Sequence, residues 1–218
     1  MVERNDNRIT RTSGMNTWRA GCGESRTSGS EGGPEKPTHR KMDRALRSDP
    51  YTYVATWAGV AYVCFIVDAF SRRIVGWRVA AHMRTAMVLD AVEMARWSRG
   101  TRLEGLVAHS DAGSQFTSVR YGERLAELGA LPSIGSVGDS YDNALAETVN
   151  GLYKTELIRG PDQGPWKTVE DVELATLAWV HWHNTERLHG YLGDVPPAEF
   201  ETAFYAAQHD DQQMVGIQ

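Results

Sequence analysis

Eight consecutive residues, Val60-Ala61-Tyr62-Val63-Cys64-Phe65-Ile66-Val67, are apolar on both alternations, and this run limits the fold more than any other stretch of the chain. Side chains of a strand point alternately to two faces, so a strand apolar at every position has to be covered on both. The run therefore reads as a central strand with helices above and below. Residues 51–55 are also β-branched and aromatic, and Thr56-Trp57-Ala58-Gly59 between the two runs reads as a hairpin turn. Residues 73–79 make a third strand.

A strand-helix alternation follows. Thr85 is expected to cap a helix reaching about Trp97, with Val88, Val92 and Ala95 on one face. Residues 105–108 read as a short buried strand and residues 118–128 as a helix buried through Tyr121, Leu125 and Leu128. Residues 131–134 read as another short strand. Thr168-Val169-Glu170-Asp171 has the form of a capping box and opens a long helix through about Trp182. Three antiparallel strands followed by β-α-β units predict a mixed sheet flanked by helices.

Before this pattern lie 48 residues rich in Arg, Gly, Ser, Thr and Glu, with no apolar recurrence at helix or strand spacing; they are read as a disordered or non-native tail. The expected layout is a tail at 1–48, a domain at 49–204 and a frayed tail at 205–218. The net charge of −5 divides unevenly, with 10 Lys/Arg against 6 Asp/Glu in 1–48 and 13 against 22 in 49–218. The overall charge argues weakly against nucleic acid, although the potential a phosphate backbone meets is set by the face it approaches. Cys22 and Cys64 have no partner at metal-ligand spacing, and Cys64 reads as a small core residue. No apolar run has the length of a membrane span and the first residues lack the apolar stretch of a secretory signal, so a cytoplasmic protein is expected.

Two segments carry chemistry. Val107-Ala108-His109-Ser110-Asp111 puts Asp111 at the carboxyl end of a strand, where open α/β sheets present ligand-binding groups; taken alone, Ser-Asp-x-Gly reads as well as a turn cap. The second is a glycine-containing loop leading into a helix that carries Asn143, Glu147, Gly151 and Lys154. At about 100° per residue these four fall within about 40° of Glu147, with Leu145, Val149 and Leu152 opposite. Glu147 and Lys154 stand two turns apart, too far for a helix-surface ion pair, and the face reads either as solvated or as the site of a partner such as phosphate. Carboxylates at such places suit a two-metal centre, in which hard oxygen ligands select Mg²⁺ or Mn²⁺, and two carboxylates call for a third from a neighbouring strand.

Asp111 and Glu147 have 35 residues between them and Lys154 follows seven after. That spacing resembles the one of DDE transposases and retroviral integrases. His109-Ser110-Asp111-x-Gly113-Ser114-Gln115-Phe116-Thr117-Ser118 and Gly138-Asp139-Ser140-Tyr141-Asp142-Asn143-Ala144-x-Ala146-Glu147 are similar to the second open reading frame of insertion-sequence-three family transposases. So are the hairpin signature through Asp68-x-Phe70-Ser71-Arg72-Arg73 and the closing motifs Asn184-x-x-Arg187-x-His189 and Pro196-Pro197-Ala198-Glu199-Phe200. The resemblance covers about residues 49–204. It implies a ribonuclease-H-like fold with a five-stranded mixed sheet and a C-terminal helical extension, and metal-dependent cutting and joining of the element's own DNA ends.

By the same resemblance Asp111 and Glu147 are catalytic metal ligands for two ions, Lys154 contacts DNA, and Asn143 and Gln115 position DNA. The implied partners are terminal repeats, target DNA and further copies of the chain at the nucleoid. The family's first catalytic Asp stands in the opening strand just before an aromatic residue and the Thr-Tyr-Val found here as Thr52-Tyr53-Val54, and that place holds Pro50. Asp49 is the candidate third ligand, displaced by one residue; in a strand such a shift turns a side chain to the other face unless a bulge restores it. Asp68 matches a structural position. The basic helical stretch usual before the domain is missing from 1–48, which is expected from a truncation or frameshift. Two competing readings are a catalytically inactive DNA-binding remnant and a ribonuclease-H-type nuclease acting on hybrids.

Overall fold

The computed structural model describes residues 17–21, 52–100, 103, 105–110, 113, 115–134, 140–159 and 164–215, with backbone alone at 17–21, 134, 140–143 and 208–215. Its spine is the apolar run, which forms strand β3 (Gly59–Asp68). β2 (Thr52–Thr56) enters through the expected hairpin, with Thr56 Oγ1 donating to the Gly59 carbonyl, and β4 (Ile74–Ala80) leaves antiparallel on the opposite edge. The tip of the hairpin is held from outside by Trp57 N donating to the Trp166 carbonyl and Ala58 N to that of Lys167.

β1 (Thr17–Gly21) and β2 occupy one edge of β3 in succession. β1 pairs antiparallel with Phe65 to Asp68, from Trp18 opposite Asp68 to Gly21 opposite Phe65. β2 pairs with Gly59 to Val63, starting at Thr52 opposite Val63. Because β4 pairs with Tyr62 to Val67, overlapping both, it must take the other edge. β1 also runs parallel to β5 (Val107–Ser110), and β5 parallel to β6 (Leu131–Ile134). The mixed sheet is thus five strands wide, with six strand segments because the column beside β3 is made of two. The segment 1–48, expected to contain no strand, supplies the central one: β1 is held by backbone hydrogen bonds on both edges, which need no apolar periodicity in its sequence.

The alternation of β3 sorts the core into two layers. Cys64 and Ile66 lie in one with Val75, Ala108 and the buried faces of α1 (Thr85–Arg99) and α2 (Val119–Glu127). Val63, Phe65 and Val67 lie in the other with α3 (Ser140–Tyr153) and α4 (Val169–Thr185). β4 approaches α1 so closely that a Cβ at Gly76 would stand 2.1 Å from the Ala91 carbonyl oxygen, so glycine is the residue that permits this packing. Cys64 is fully buried, as expected of a core residue.

The helix boundaries differ in small ways from the sequence reading. Thr85 is the first helical residue of α1; Arg84, in extended conformation, precedes it and makes no side-chain cap. Ser118 caps α2 by accepting from Tyr121 N, and Thr168 and Asp171 form the predicted capping box of α4, which continues past Trp182 to Thr185. α5 (Pro197–Val215) extends the last helix well into the residues expected to fray; Phe200 and Phe204 on it pack against Phe70 at 5.2 and 4.6 Å between ring centroids. No helix among the described residues is long and apolar enough to cross a membrane.

Candidate active site

The site expected at the carboxyl end of β5 is framed by the end of β1, the loop after β5 and helix α3. His109 and Ser110, the last residues of β5, are buried, and His109 Nδ1 lies 3.0 Å from Ser133 Oγ on β6, which fixes this end of the parallel pair. The following loop is pinned from its far side. The Gly113 carbonyl accepts from Phe116 N and Thr117 N, Ser118 Oγ donates to the Gln115 carbonyl, and Gln115 Nε2 donates to the Met83 carbonyl at 3.2 Å. Gln115 therefore ties this loop to the start of α1. Asp111 and Asp49 lie outside the described residues, as does the side chain of Asn143.

Helix α3 follows its expected orientation with a different buried stripe. Glu147 and Gly151 are exposed, and a Cβ placed on Gly151 would meet nothing within 4 Å. The buried positions are Ala146, Val149, Asn150 and Tyr153, spaced three and four apart as one helix face requires, while Leu145 and Leu152, expected on that face, are only partly buried against the same core. Tyr153 sets the depth of the helix: its ring packs edge-on to Phe65 at 5.1 Å and to Trp179 at 5.2 Å, and its hydroxyl is 2.8 Å from Thr176 Oγ1. Burial pushes that phenol up, so it stays protonated.

At Lys154 the α-helix widens into a π-helical turn, Lys154–Ile158, closed by Arg159 N donating to the Lys154 carbonyl at 2.9 Å. Such a turn is uncommon and re-aims the residues beyond it. α4 and the residues just after it hold it in place, since Glu156 accepts from Trp179 Nε1 on α4 at 3.1 Å and from Arg187 Nε, two residues past the helix end, at 2.8 Å. The half-buried Lys154 ammonium lies 5.8 Å from the centroid of the Tyr53 ring on β2, within cation–π range. Glu147 is thus exposed on α3, and Lys154, at the start of the π turn that continues it, lies over Tyr53 of β2.

Two buried polar groups near the column formed by β1 and β2 have no hydrogen-bond partner among the described residues. They are Thr52 Oγ1, where the chain enters β2, and both amide atoms of Asn150, one turn from Glu147 on a helix that packs against β1. Sequence reading singled out neither, because an Asn in an amphipathic helix gives no sign of burial. A two-ion centre was implied by the resemblance. Among the described residues no three His, Cys, Asp or Glu side chains cluster to hold a metal, and Glu147 alone represents the expected donor set.

The polar residues of the flanking motifs are tied into structure. Asp68, nearly fully buried, accepts from Phe70 N and Ser71 N and pairs with Arg99, which also binds Glu201 on α5. Burial raises the Asp68 carboxyl above its usual value against the pull of Arg99; Glu201, also raised by burial, is held below its usual value by hydrogen bonds from Arg99, Ser71 and Arg73. Asn184 brackets Ile74, accepting from its N–H and donating to its carbonyl, both at 2.9 Å. His183 and His189 pack edge to face with ring centroids 4.6 Å apart, and burial, aided by His189, lowers His183 to about 3.

Comparison with known proteins agrees on one family. The sequence matches the family described as Integrase core domain over residues 40–140 and again, with a second pattern of that description, over residues 128–197. It is 61% identical over 159 residues to a protein of Mycobacterium tuberculosis named as transposase for insertion sequence element IS986/IS6110, covering 71% of this chain and 56% of that one. It is 54% identical over 161 residues to the transposase for insertion sequence element IS629 of Shigella sonnei, covering 74% and 53%. The chain therefore spans about half the length of the curated relatives it matches. Among solved structures, it resembles a chain of the simian T-cell lymphotropic virus intasome with TM-score 0.57 at 14% identity, over 77% of this chain and 60% of that one. The HTLV-2 integrase catalytic core domain in complex with magnesium gives 0.54 at 13% identity, over 85% and 95%. At these identities the likeness is one of fold, and the fold is the ribonuclease-H-like α/β fold of integrase cores.

Proposed function

Because the chain belongs to the insertion-sequence-three family of transposases, within the integrase core domain family, we propose that it acts on DNA as a DDE transposase core, cutting the ends of its element and joining them to target DNA. The outer edge of α3 carries this reading: Glu147 and Gly151 are open to solvent beside the half-buried Lys154, with no side chain crowding Gly151. A duplex can approach such an edge closely.

Lys154 offers its ammonium to a phosphate, which adds salt-dependent affinity without reading sequence. The Tyr53 ring beside it supports the cation from below. Asn143 and Gln115 position the strand near the end of β5, Gln115 through the loop it ties to Met83. Phosphoryl transfer is accelerated chiefly by positioning and charge stabilisation, which this rigid frame provides. In this reading Asp111 and Glu147 are donors for the expected Mg²⁺ or Mn²⁺ ions, and the third donor position belongs to the opening strand. Glu147, the one described carboxylate of the three expected, is not by itself a donor set for two hard cations. Copies of the chain assemble on DNA, at the nucleoid.

The reading is tested by fluorescence anisotropy with a duplex carrying the element's terminal repeats. Lys154→Ala is expected to weaken binding and to reduce the slope of log K against log salt by about 0.9, the value for one lost phosphate contact. An unchanged slope removes Lys154 from the interface. Nicking of the same duplex in Mn²⁺, lost in Glu147→Gln, supports the enzyme; preference for an RNA–DNA hybrid favours the ribonuclease-H-type reading. Retained binding without nicking leaves the inactive remnant.

A further inference from the structure

The register of the sheet locates the third carboxylate position, and a glycine occupies it. Thirty residues separate Gly21 from Thr52 in the sequence. Their partners on β3, Phe65 and Val63, are separated by Cys64 alone. β1 and β2 are thus two parts of one strand, and the chain between them carries 29 residues more than the register has room for. Counting back along this composite strand from Thr52, the second position is Gly21.

Two further observations give that position its meaning. β1 runs parallel to β5 with Thr17 beside Val107 and Arg19 beside His109, so the next pair aligns Ala20 with Ser110, the last residue of β5, and Gly21 stands one step further toward the same end of the sheet. Directly opposed residues of an antiparallel pair share a face, and Phe65 lies on the face covered by α3 and α4. Position 21 is therefore in register with a β3 residue on the face that α3 covers. The Asn150 amide, one turn from Glu147 on α3, and Thr52 Oγ1 at the break, both without a hydrogen-bond partner among the described residues, fit a polar group missing there.

We infer that Gly21, and neither Pro50 nor Asp49, holds the strand position of the third metal-binding carboxylate, so that this chain's divalent-cation centre is one ligand short and Gly21→Asp completes it. Continued backward, the β2–β3 register reaches Phe65 two places before Thr52, and Phe65 is already paired with Gly21; one edge of β3 cannot pair with two segments at the same residue. The inference rests on the transposase reading for the identity of the metal centre and on the register for its location.

The experiment uses the full chain and Mn²⁺ alone, followed by isothermal titration calorimetry and thermal melting. The unmodified chain is expected to bind Mn²⁺ weakly. Gly21→Asp should bind it about tenfold more tightly or better, as an added charged ligand does, and should melt higher in Mn²⁺. The double variant Gly21→Asp/Glu147→Gln should lose that gain, and Asp49→Asn should leave the parent's binding unchanged. The inference is overturned if Pro50→Asp gives the gain and Gly21→Asp does not, or if Asp49→Asn abolishes Mn²⁺ binding. Hydrogen exchange on the unmodified chain decides the register without any variant: residues 17–21 should be protected as strongly as residues 63–68, and exchange within seconds refutes the placement. Duplex binding measured in parallel separates the two readings. A Mn²⁺ gain without DNA binding sinks the transposase function and leaves this inference standing, and the reverse result does the opposite.

Discussion

Excising residues 23–51 should stabilise the protein. Only one position of β3, Cys64, lies between the partners of Gly21 and Thr52, so the shortened chain would join β1 to β2 through Cys22 as one uninterrupted strand. Closing a 30-residue connection costs roughly (3/2)RT ln 30, about 3 kcal/mol, in the folded state of the parent. The shortened chain avoids this cost. It must order one extra backbone residue, at about 1–2 kcal/mol, and gains about 1 kcal/mol from each ladder hydrogen bond that residue completes. The net expectation is about 2 kcal/mol of added stability. In a domain of this size that is an upward shift of roughly 4–8 °C in Tm. Differential scanning calorimetry of the two chains in the same buffer measures it. A lower Tm, or a chain that no longer melts cooperatively, would show that β2 is extended by residues just before it in sequence and would refute the composite strand.

Three further outcomes follow from packing and charge. Arg99→Met strands the Asp68 and Glu201 carboxylates, with side chains 2% and 6% exposed, without their shared cation; a loss of about 3–5 kcal/mol is expected in guanidinium unfolding, and a loss below about 1 kcal/mol would make the cluster dispensable. Gly76→Ala drives a methyl group into the Ala91 carbonyl, a backbone atom that cannot swing away, and should cost about 1–3 kcal/mol or more by the same assay; a neutral result would mean that α1 slides freely on β4. His183 is lowered from 6.5 to about 3 by burial and by His189, so between those values the unfolded chain binds a proton that the folded one refuses. Stability should therefore fall as pH drops below about 6.5, by up to about 1.4 kcal/mol per unit, and His183→Gln should flatten melting curves taken from pH 7 to pH 4.5. An identical pH dependence in that variant would exclude His183 as the source.

Much of the fold was legible because its signals are local. The apolar alternation of residues 60–67 dictated a strand covered on both sides, and Thr168 with Asp171 announced the start of α4 through chemistry confined to four residues. Glu147 and Gly151 were expected to face outward and do, since Val149 and Tyr153 bury the other side of α3. What stayed hidden depends on partners far away in sequence. Nothing in Thr17-Trp18-Arg19-Ala20-Gly21 marks a central strand, because its place is fixed by backbone bonds to β3 and β5. The pairing of Arg99 with Asp68 and Glu201 was unreadable for the same reason, as was the π-helical turn that follows α3, which is held by Trp179 on α4 and Arg187 just beyond it.

β1 also decides when the sheet can assemble. Its neighbours on either side, β3 and β5, share no pairing with each other among the described residues, so every backbone link between the antiparallel half and the parallel half passes through five residues. The β2–β3–β4 meander and the β5–α2–β6 unit close over short stretches of chain and should form early; β1 must cross a long separation to reach its slot and should dock late. Until it does, the chain carries two open strand edges facing one another, and that interval is when it is most prone to pair with a neighbouring molecule.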